Sequence, residues 1–319
     1  MHVDLLFGEH VFVVAKLAMA ALAGRKDEFR AYAGLLAANS ADVTTLMQSA
    51  VGDTAGSQFG QAWTEGNNLY VDYIVAASIR NQAKANVARA SLMDTYVPLM
   101  AKAVSESLPL PVAQATQAAA DQVSYLLSVV DYAVASQFAA GYHDVRGTYA
   151  LEVRWGDMVA EAVVRNFADR FPGSVVSKAA NFRAALDTLL QGQAYLMTMA
   201  TQATVVGTQT EQQAAAGVVA ENSGALRSEY GSVFGEAKAA TFGDTWVAES
   251  SFVVAYAKSG DMADRQGAIA AAPTLSTELQ AILQVVDDQR AKSFDKLASD
   301  DHAAAVMLAA AGDAISATT

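Results

Sequence analysis

The chain has 319 residues, 53 % of them hydrophobic and only 17 % charged, with a formal net charge of −12. Its 21 basic residues are scattered among 33 acidic ones and form no positive stripe, which excludes a polyanion such as nucleic acid as a partner. With no cysteine at all, disulfides, thiolate metal sites, covalent haem attachment and cysteine nucleophiles are excluded together.

Abundant Ala and only 5 Pro favour helices, because Ala loses no side-chain entropy on entering one. The first element is VFVVAKLAMAALAG at 11–24, whose composition resembles a signal-peptide core. Asp4 and Glu9 precede it with no Lys or Arg, and a counterpart, LLQGQAYLMTMATQATVV, lies in mid-chain at 189–206. Residues 5–23 are therefore expected to form a helix of the mature fold. No uninterrupted apolar run reaches the ~18–20 residues a membrane span needs, so no transmembrane segment is expected. The leaning is extracytoplasmic, with any native signal peptide outside this sequence.

Next, Phe29, Tyr32, Leu36, Asn39, Val43, Leu46 and Ala50 step by three or four and mark one helix face. Phe59, Trp63, Gly66, Tyr70, Tyr73 or Ile74, and Ala77 mark another. Breaks are expected at Gly24-Arg25-Lys26, Gly52-Asp53, near Asn81, at Pro109–Pro111, at Gly141 and at Phe171-Pro172-Gly173. Pro98 should kink its helix or mark its end. No sustained period-two alternation suggests a strand. The expected fold is all-α: two tandem homologous helical bundles, 1–173 with about six helices and 174–319 with four or five.

The pairing of the halves rests on ordered matches. FGQAWTEGNNLYVDY (59–73) returns as FGDTWVAESSFVVAY (242–256). At the same offset of 183, Asn39-Ser40 matches Asn222-Ser223 and Gly52 matches Gly235. Leu5-Leu6-x-Gly8 matches Leu189-Leu190-x-Gly192. At an offset of 156, LSVVD (127–131) matches LQVVD (283–287), Phe138 matches Phe294 and Gly156-Asp157 matches Gly312-Asp313. The change of offset means that the second copy lacks about 27 residues, which fall around 82–113 of the first.

Polar residues on the apolar faces are the candidate sites. Asn39 and Asn222 are expected to bond a neighbouring helix and fix its register, with a ligand contact as the alternative. Three residues beyond Trp63 and Trp246 stand Gly66 and Glu249. Glu249 is expected to reach a solvated seam; burial would instead raise its pKa. The paired aromatics Trp63/Trp246 and Tyr73/Tyr256 are expected to be core. His143-Asp144 and Asp300-Asp301-His302 are expected as helix-initiating surface turns. The chain has no Glu-x-x-His, His-Glu-x-x-His, Gly-x-Gly-x-x-Gly, Walker loop or Gly-x-Ser-x-Gly elbow.

Leu5-Leu6-x-Gly8-Glu9-His10, Asn39, Gly52, Phe59…Trp63, Tyr73, Gly156-Asp157 and NFADRFPG (166–173) together resemble an uncharacterised family of bacterial helical-bundle proteins. These are often exported and are sometimes loosely labelled copper amine oxidase-like. The resemblance implies a metal- or haem-binding ancestor with several histidines, one of them three beyond the Trp. Here that place holds Gly66 or Glu249, and Gly8-Glu9-His10 becomes Gly192-Gln193-Ala194 in the second half.

The expected function is a non-enzymatic structural or partner-binding protein without cofactor, self-associating or engaging a protein partner through apolar helix faces. Asn39, Trp63, Gly66, Asn222 and Glu249 are its candidate ligand contacts. The alternative is a metal- or haem-binding bundle using Glu9, His10 and Asp157. A third reading, an enzyme acting on a small apolar molecule, requires Glu249 or Asp72 buried in a cavity.

Overall fold

The computed structural model describes residues 3–171 and 177–317, and every regular element among them is helical. The chain forms two compact units, Met1–Val175 and Val176–Thr319. The expected seam at Pro172-Gly173 lies outside the described residues, as does His2.

The first unit comprises α1 (Val3–Leu22), α2 (Lys26–Val51), α3 (Asp53–Ser78), α4 (Gln82–Ser91), α5 (Val97–Ser107), α6 (Val112–Val134) and α7 (Phe138–Asn166). α1 runs through the middle and packs on α2, α3, α6 and α7. It is apolar nearly all round because the middle of the helix is covered on every face: Val11 through Ala18 are buried without interruption. Despite its scattered polar residues, α1 is long and apolar enough to cross a membrane, with mean hydropathy 1.8, and so departs from the expectation of no such segment. In this fold 72 % of that stretch is buried inside the unit, which accounts for the composition.

Turn chemistry sets most of the breaks. Gly52, at φ +97°, separates α2 from α3 in a conformation that side chains with a Cβ rarely adopt. Asn81 caps α4 by accepting from the Lys84 N–H at 3.1 Å. Pro98 lacks the N–H that would bond the Asp94 carbonyl, and the wide π-helical turn Leu92–Tyr96 carries the chain past it into α5. Gly141 is not a break. The chain turns instead at Ser136, and Gly141 lies within α7, where its missing side chain lets that helix approach Tyr132.

The second unit comprises α8 (Lys178–Val206), α9 (Gln209–Phe234), α10 (Glu236–Ser259), α11 (Met262–Ala271), α12 (Ser276–Ala291) and α13 (Phe294–Ser316), with a 3₁₀ turn at Pro273–Leu275. These are six helices among the described residues rather than four or five, because a short α11 fills the link between α10 and α12. α8 is its central helix, packed on α9, α10, α12 and α13.

The helix limits keep the spacing of the sequence matches. α2 and α9 begin and end 183 residues apart, and α7 and α13 begin 156 apart. Glycines make corresponding close approaches. Gly60 faces Thr44 and Gly243 faces Arg227; Gly156 lies against Asp4 and Gly312 against Asp187. At one crossing the small residue has changed helices: Gly56 faces Gln48 in the first unit, whereas Gly231 faces Ala239 in the second.

Candidate functional site

Each unit holds a buried polar network, which joins α1, α2 and α3 in the first and α8 and α9 in the second. Asn39, on α2, donates through Nδ2 to the Leu6 carbonyl at 2.9 Å and to Glu9 Oε2 at 3.0 Å. Asn222, on α9, donates to the Leu189 carbonyl at 2.9 Å and to Gln193 Oε1 at 2.8 Å. The network continues along serines. Asn67 donates to Ser40 Oγ at 2.8 Å, and Gln193 Nε2 donates to Ser223 Oγ at 3.1 Å. Both asparagines thus bind a neighbouring helix, which locks register because a slip would strand an amide in an apolar seam.

Around Trp63 the first unit packs Phe7, Phe59, His10 and Trp155. Gly66, one turn on, makes room for the ring of Tyr96, which would lie 2.5 Å from a Cβ there. Tyr96 donates its hydroxyl to Gln122 Oε1 at 2.5 Å, and Gln122 Nε2 donates to Glu152 Oε2 at 3.0 Å. Glu152 is fully buried, and desolvation pushes its carboxyl up to about 8; the bond from Gln122 only partly opposes this. Tyr70 is held well above its ordinary value, first by burial and then by Tyr96 and Glu152.

In the second unit Glu249 stands where the first has Gly66. It is fully buried, which corrects the expectation of a solvated seam. Desolvation pushes its carboxyl up to about 8; Ser250 Oγ, 3.4 Å from Oε2, offsets this weakly, and Oε1 has no hydrogen-bond partner among the described residues. Asp72 is exposed, so it cannot serve a buried site.

The proposed metal ligands are not brought together. Glu9 is engaged by Asn39, and His10 Nε2 lies 2.6 Å from Asn67 Oδ1. Burial pushes His10 down to about 4. Asp157 is pushed up to about 6 by desolvation and by Asp4 and Glu161. Among the described residues no three His, Asp or Glu side chains form a group that could hold a metal ion. Glu9, His10 and Asp157 therefore do not fit the metal or haem centre that the family resemblance implies. Asp301 is no surface turn either: it is buried and accepts from Thr198 Oγ1 at 2.7 Å.

Sequence reasoning missed a half-exposed triad that occurs in both units. The Tyr73 hydroxyl donates to Asp131, and Arg89 lies 2.5 Å from that hydroxyl and 2.6 Å from the carboxylate. In the second unit Tyr256 donates to Asp287 at 2.5 Å and Arg265 lies 3.6 Å from Asp287. The tyrosines and aspartates were matched in sequence, but the arginines follow neither offset. Glu152 was also missed, although it sits on the apolar stripe Val145–Tyr149–Glu152–Trp155–Val159 and was open to the argument used for Asn39.

These groups hold hydrogen bonds and protons in the interior; none forms a nucleophile–base pair. Compared with protein-family models, with curated proteins and with solved structures, the chain matches none.

Proposed function

We propose that the protein is a non-enzymatic structural or partner-binding module, built from two copies of one helical bundle, that self-associates through apolar residues on its outer helix faces. The duplication draws support from helix limits 183 and 156 residues apart and from the paired glycine contacts. The exposed apolar surface carries the functional reading. Val75 and Ile79 stand one turn apart at the end of α3, with Ile79 65 % exposed, and Val87 on α4 is 66 % exposed. The chain carries little charge overall, and the charged residues from 75 to 89, Arg80, Lys84 and Arg89, are all cations.

Sedimentation from micromolar to millimolar protein should show reversible assembly, and Ile79→Lys with Val87→Lys should shift it to the monomer. A strict monomer at the highest concentration overturns self-association. Stoichiometric metal in protein purified without added metal, or a haem absorption band, lost in His10→Ala would replace this reading with the cofactor-binding alternative.

A further inference from the structure

Each unit buries a tryptophan at the matching position, Trp63 or Trp246, and neither indole Nε1 has an acceptor among the described residues. A buried donor left unmet costs about 1–3 kcal/mol, and folded proteins leave few of them. Each unit also holds a buried acceptor without a partner among the described residues, on a ring packed against Trp63 in the first and three residues beyond Trp246 in the second.

In the first unit that acceptor is Nδ1 of His10. Its character follows from the direction of the neighbouring bonds. Ser40 Oγ donates to the Leu36 carbonyl at 3.0 Å, and Asn67 Nδ2 donates to Ser40 Oγ at 2.8 Å. Asn67 therefore turns its carbonyl oxygen to His10, whose Nε2 must carry the proton. Nδ1 is left as a bare lone pair on a ring whose centroid is 4.8 Å from that of Trp63. The unpartnered hydroxyl of Tyr70 belongs to the same cluster, its ring centroid 5.9 Å from that of His10.

In the second unit the histidine position is Ala194, and the acceptor comes from a different helix. Glu249 follows Trp246 by three residues on one face of α10, the spacing that makes helical side chains neighbours. Its Oε1 is unmet and fully buried. Each unit thus holds an unmet indole donor and an unmet acceptor in one cluster, although the acceptor differs in residue type and in the helix that supplies it.

We propose that each unit binds one ordered internal water beside its repeated tryptophan, accepting from indole Nε1–H and donating to His10 Nδ1 in the first unit and to Glu249 Oε1 in the second. Water is the smallest molecule that presents both characters at once, and buried waters bond two to four polar partners. Its place explains why Glu249 is tolerated opposite Gly66: the acid restores an acceptor that Ala194 cannot offer.

The chain's 3 tryptophans give three indole cross-peaks in a ¹H–¹⁵N spectrum, assignable by single Trp→Phe variants. Water-selective NOESY and ROESY spectra should show long-lived water at the Trp63 and Trp246 indole protons. Glu249→Leu should erase the water signal at Trp246 and leave that at Trp63, and His10→Leu should do the converse. Glu249→Gln keeps an acceptor and should keep the signal, which serves if the leucine variant does not fold. Wild-type indoles without a water signal, or a Trp246 signal that survives Glu249→Leu, overturn the proposal. A signal at one indole alone overturns it for the other unit.

Discussion

The two units treat one interior position in opposite ways. In the first, Gly66 clears space for Tyr96, which leans across from the π-helical turn and ties α6 to α7 through Gln122 and Glu152. In the second, Glu249 occupies that position, and the chain between Ser259 and Ser276 holds only the ten-residue α11 and a 3₁₀ turn. Each unit buries a carboxyl linked to this position, Glu152 of α7 through Gln122 and Tyr96 in one and Glu249 of α10 itself in the other. In the first unit the Tyr96 ring fills the space at Gly66, and in the second a Glu249 side chain stands at the matched position. What matters at such a position is that space be filled and hydrogen bonds be met, whichever helix supplies them.

The harshest way to break the comparison is to exchange the residues. Gly66→Glu forces a side chain into the Tyr96 ring and buries a carboxyl with no partner provided. A loss on the order of 4 kcal/mol is expected for the first unit, read as an earlier urea or thermal transition. Gly66→Ala isolates the steric part and should cost about 1–3 kcal/mol. Shrinking the ring with Tyr96→Leu in the same chain should recover part of that loss. If Gly66→Glu unfolds no earlier than wild type, the close contact with Tyr96 does not constrain the fold.

Acidity separates the units next. Burial pushes Glu249 up to about 8. Between the ordinary carboxylate value and that pH, the unfolded chain has released the proton and the folded one has not. Stability therefore falls as pH rises; the contribution is full below the unfolded pKa and lost through the folded one. Glu152 gives the first unit the same alkaline weakness. His10, pushed down to about 4 by burial, has the opposite sign: its contribution is full above the ordinary histidine value and lost as pH falls through 4. The second unit, with Ala194, lacks that acid-side term. Glu249→Gln should flatten the alkaline loss of the second unit by on the order of 2 kcal/mol at pH 8. His10→Gln should flatten the acid loss of the first unit only. Variants retaining Trp246 alone, or Trp63 and Trp155, report the units separately by fluorescence. Equal acid sensitivity of both units after His10→Gln as before it would remove His10 as the cause.

Much of this was open to reading from sequence, for a definite reason. The three-to-four spacing of Phe29 through Ala50 marks a buried face wherever the helix lies, so Asn39 and Asn222 were visible as polar residues on apolar stripes. Their partners were not, because Glu9 and Gln193 belong to another helix some 30 residues away. Whether Glu249 meets water depends on how α10 is covered, which no spacing within α10 records. The Gly141 break failed because a glycine that permits close helix packing looks the same in sequence as one that ends a helix. Arg89 and Arg265 were hidden differently. They lie 176 residues apart, between the two offsets that align the halves, on connecting helices of unlike surroundings.

Those arginines set the smallest and most discriminating test. Arg89 ties α4 to Tyr73 on α3 and Asp131 on α6, with its guanidinium 5.0 Å above the tyrosine ring. Arg265 on α11 makes the looser version, 5.9 Å from the Tyr256 ring. Burial, followed by Asp131, pushes Tyr73 up to about 12, so its hydroxyl is a donor at neutral pH. The Arg89 and Asp131 side chains are nearly half exposed, and water screens much of their attraction. A double-mutant cycle over Arg89→Ala and Asp131→Ala should therefore give a coupling of about 0.5–1 kcal/mol, and that over Arg265→Ala and Asp287→Ala less, because the ion pair is longer. Hydrogen exchange should locate the effect: Arg89→Ala should speed exchange in 82–91 and leave α1 and α2 protected, and Arg265→Ala should do so in 262–271. Matching local effects mean that each arginine tethers the connecting helix of its own unit to the bundle. Exchange that spreads instead through α1 would make Arg89 a support of the whole unit, and the likeness of the two triads would then be one of geometry alone.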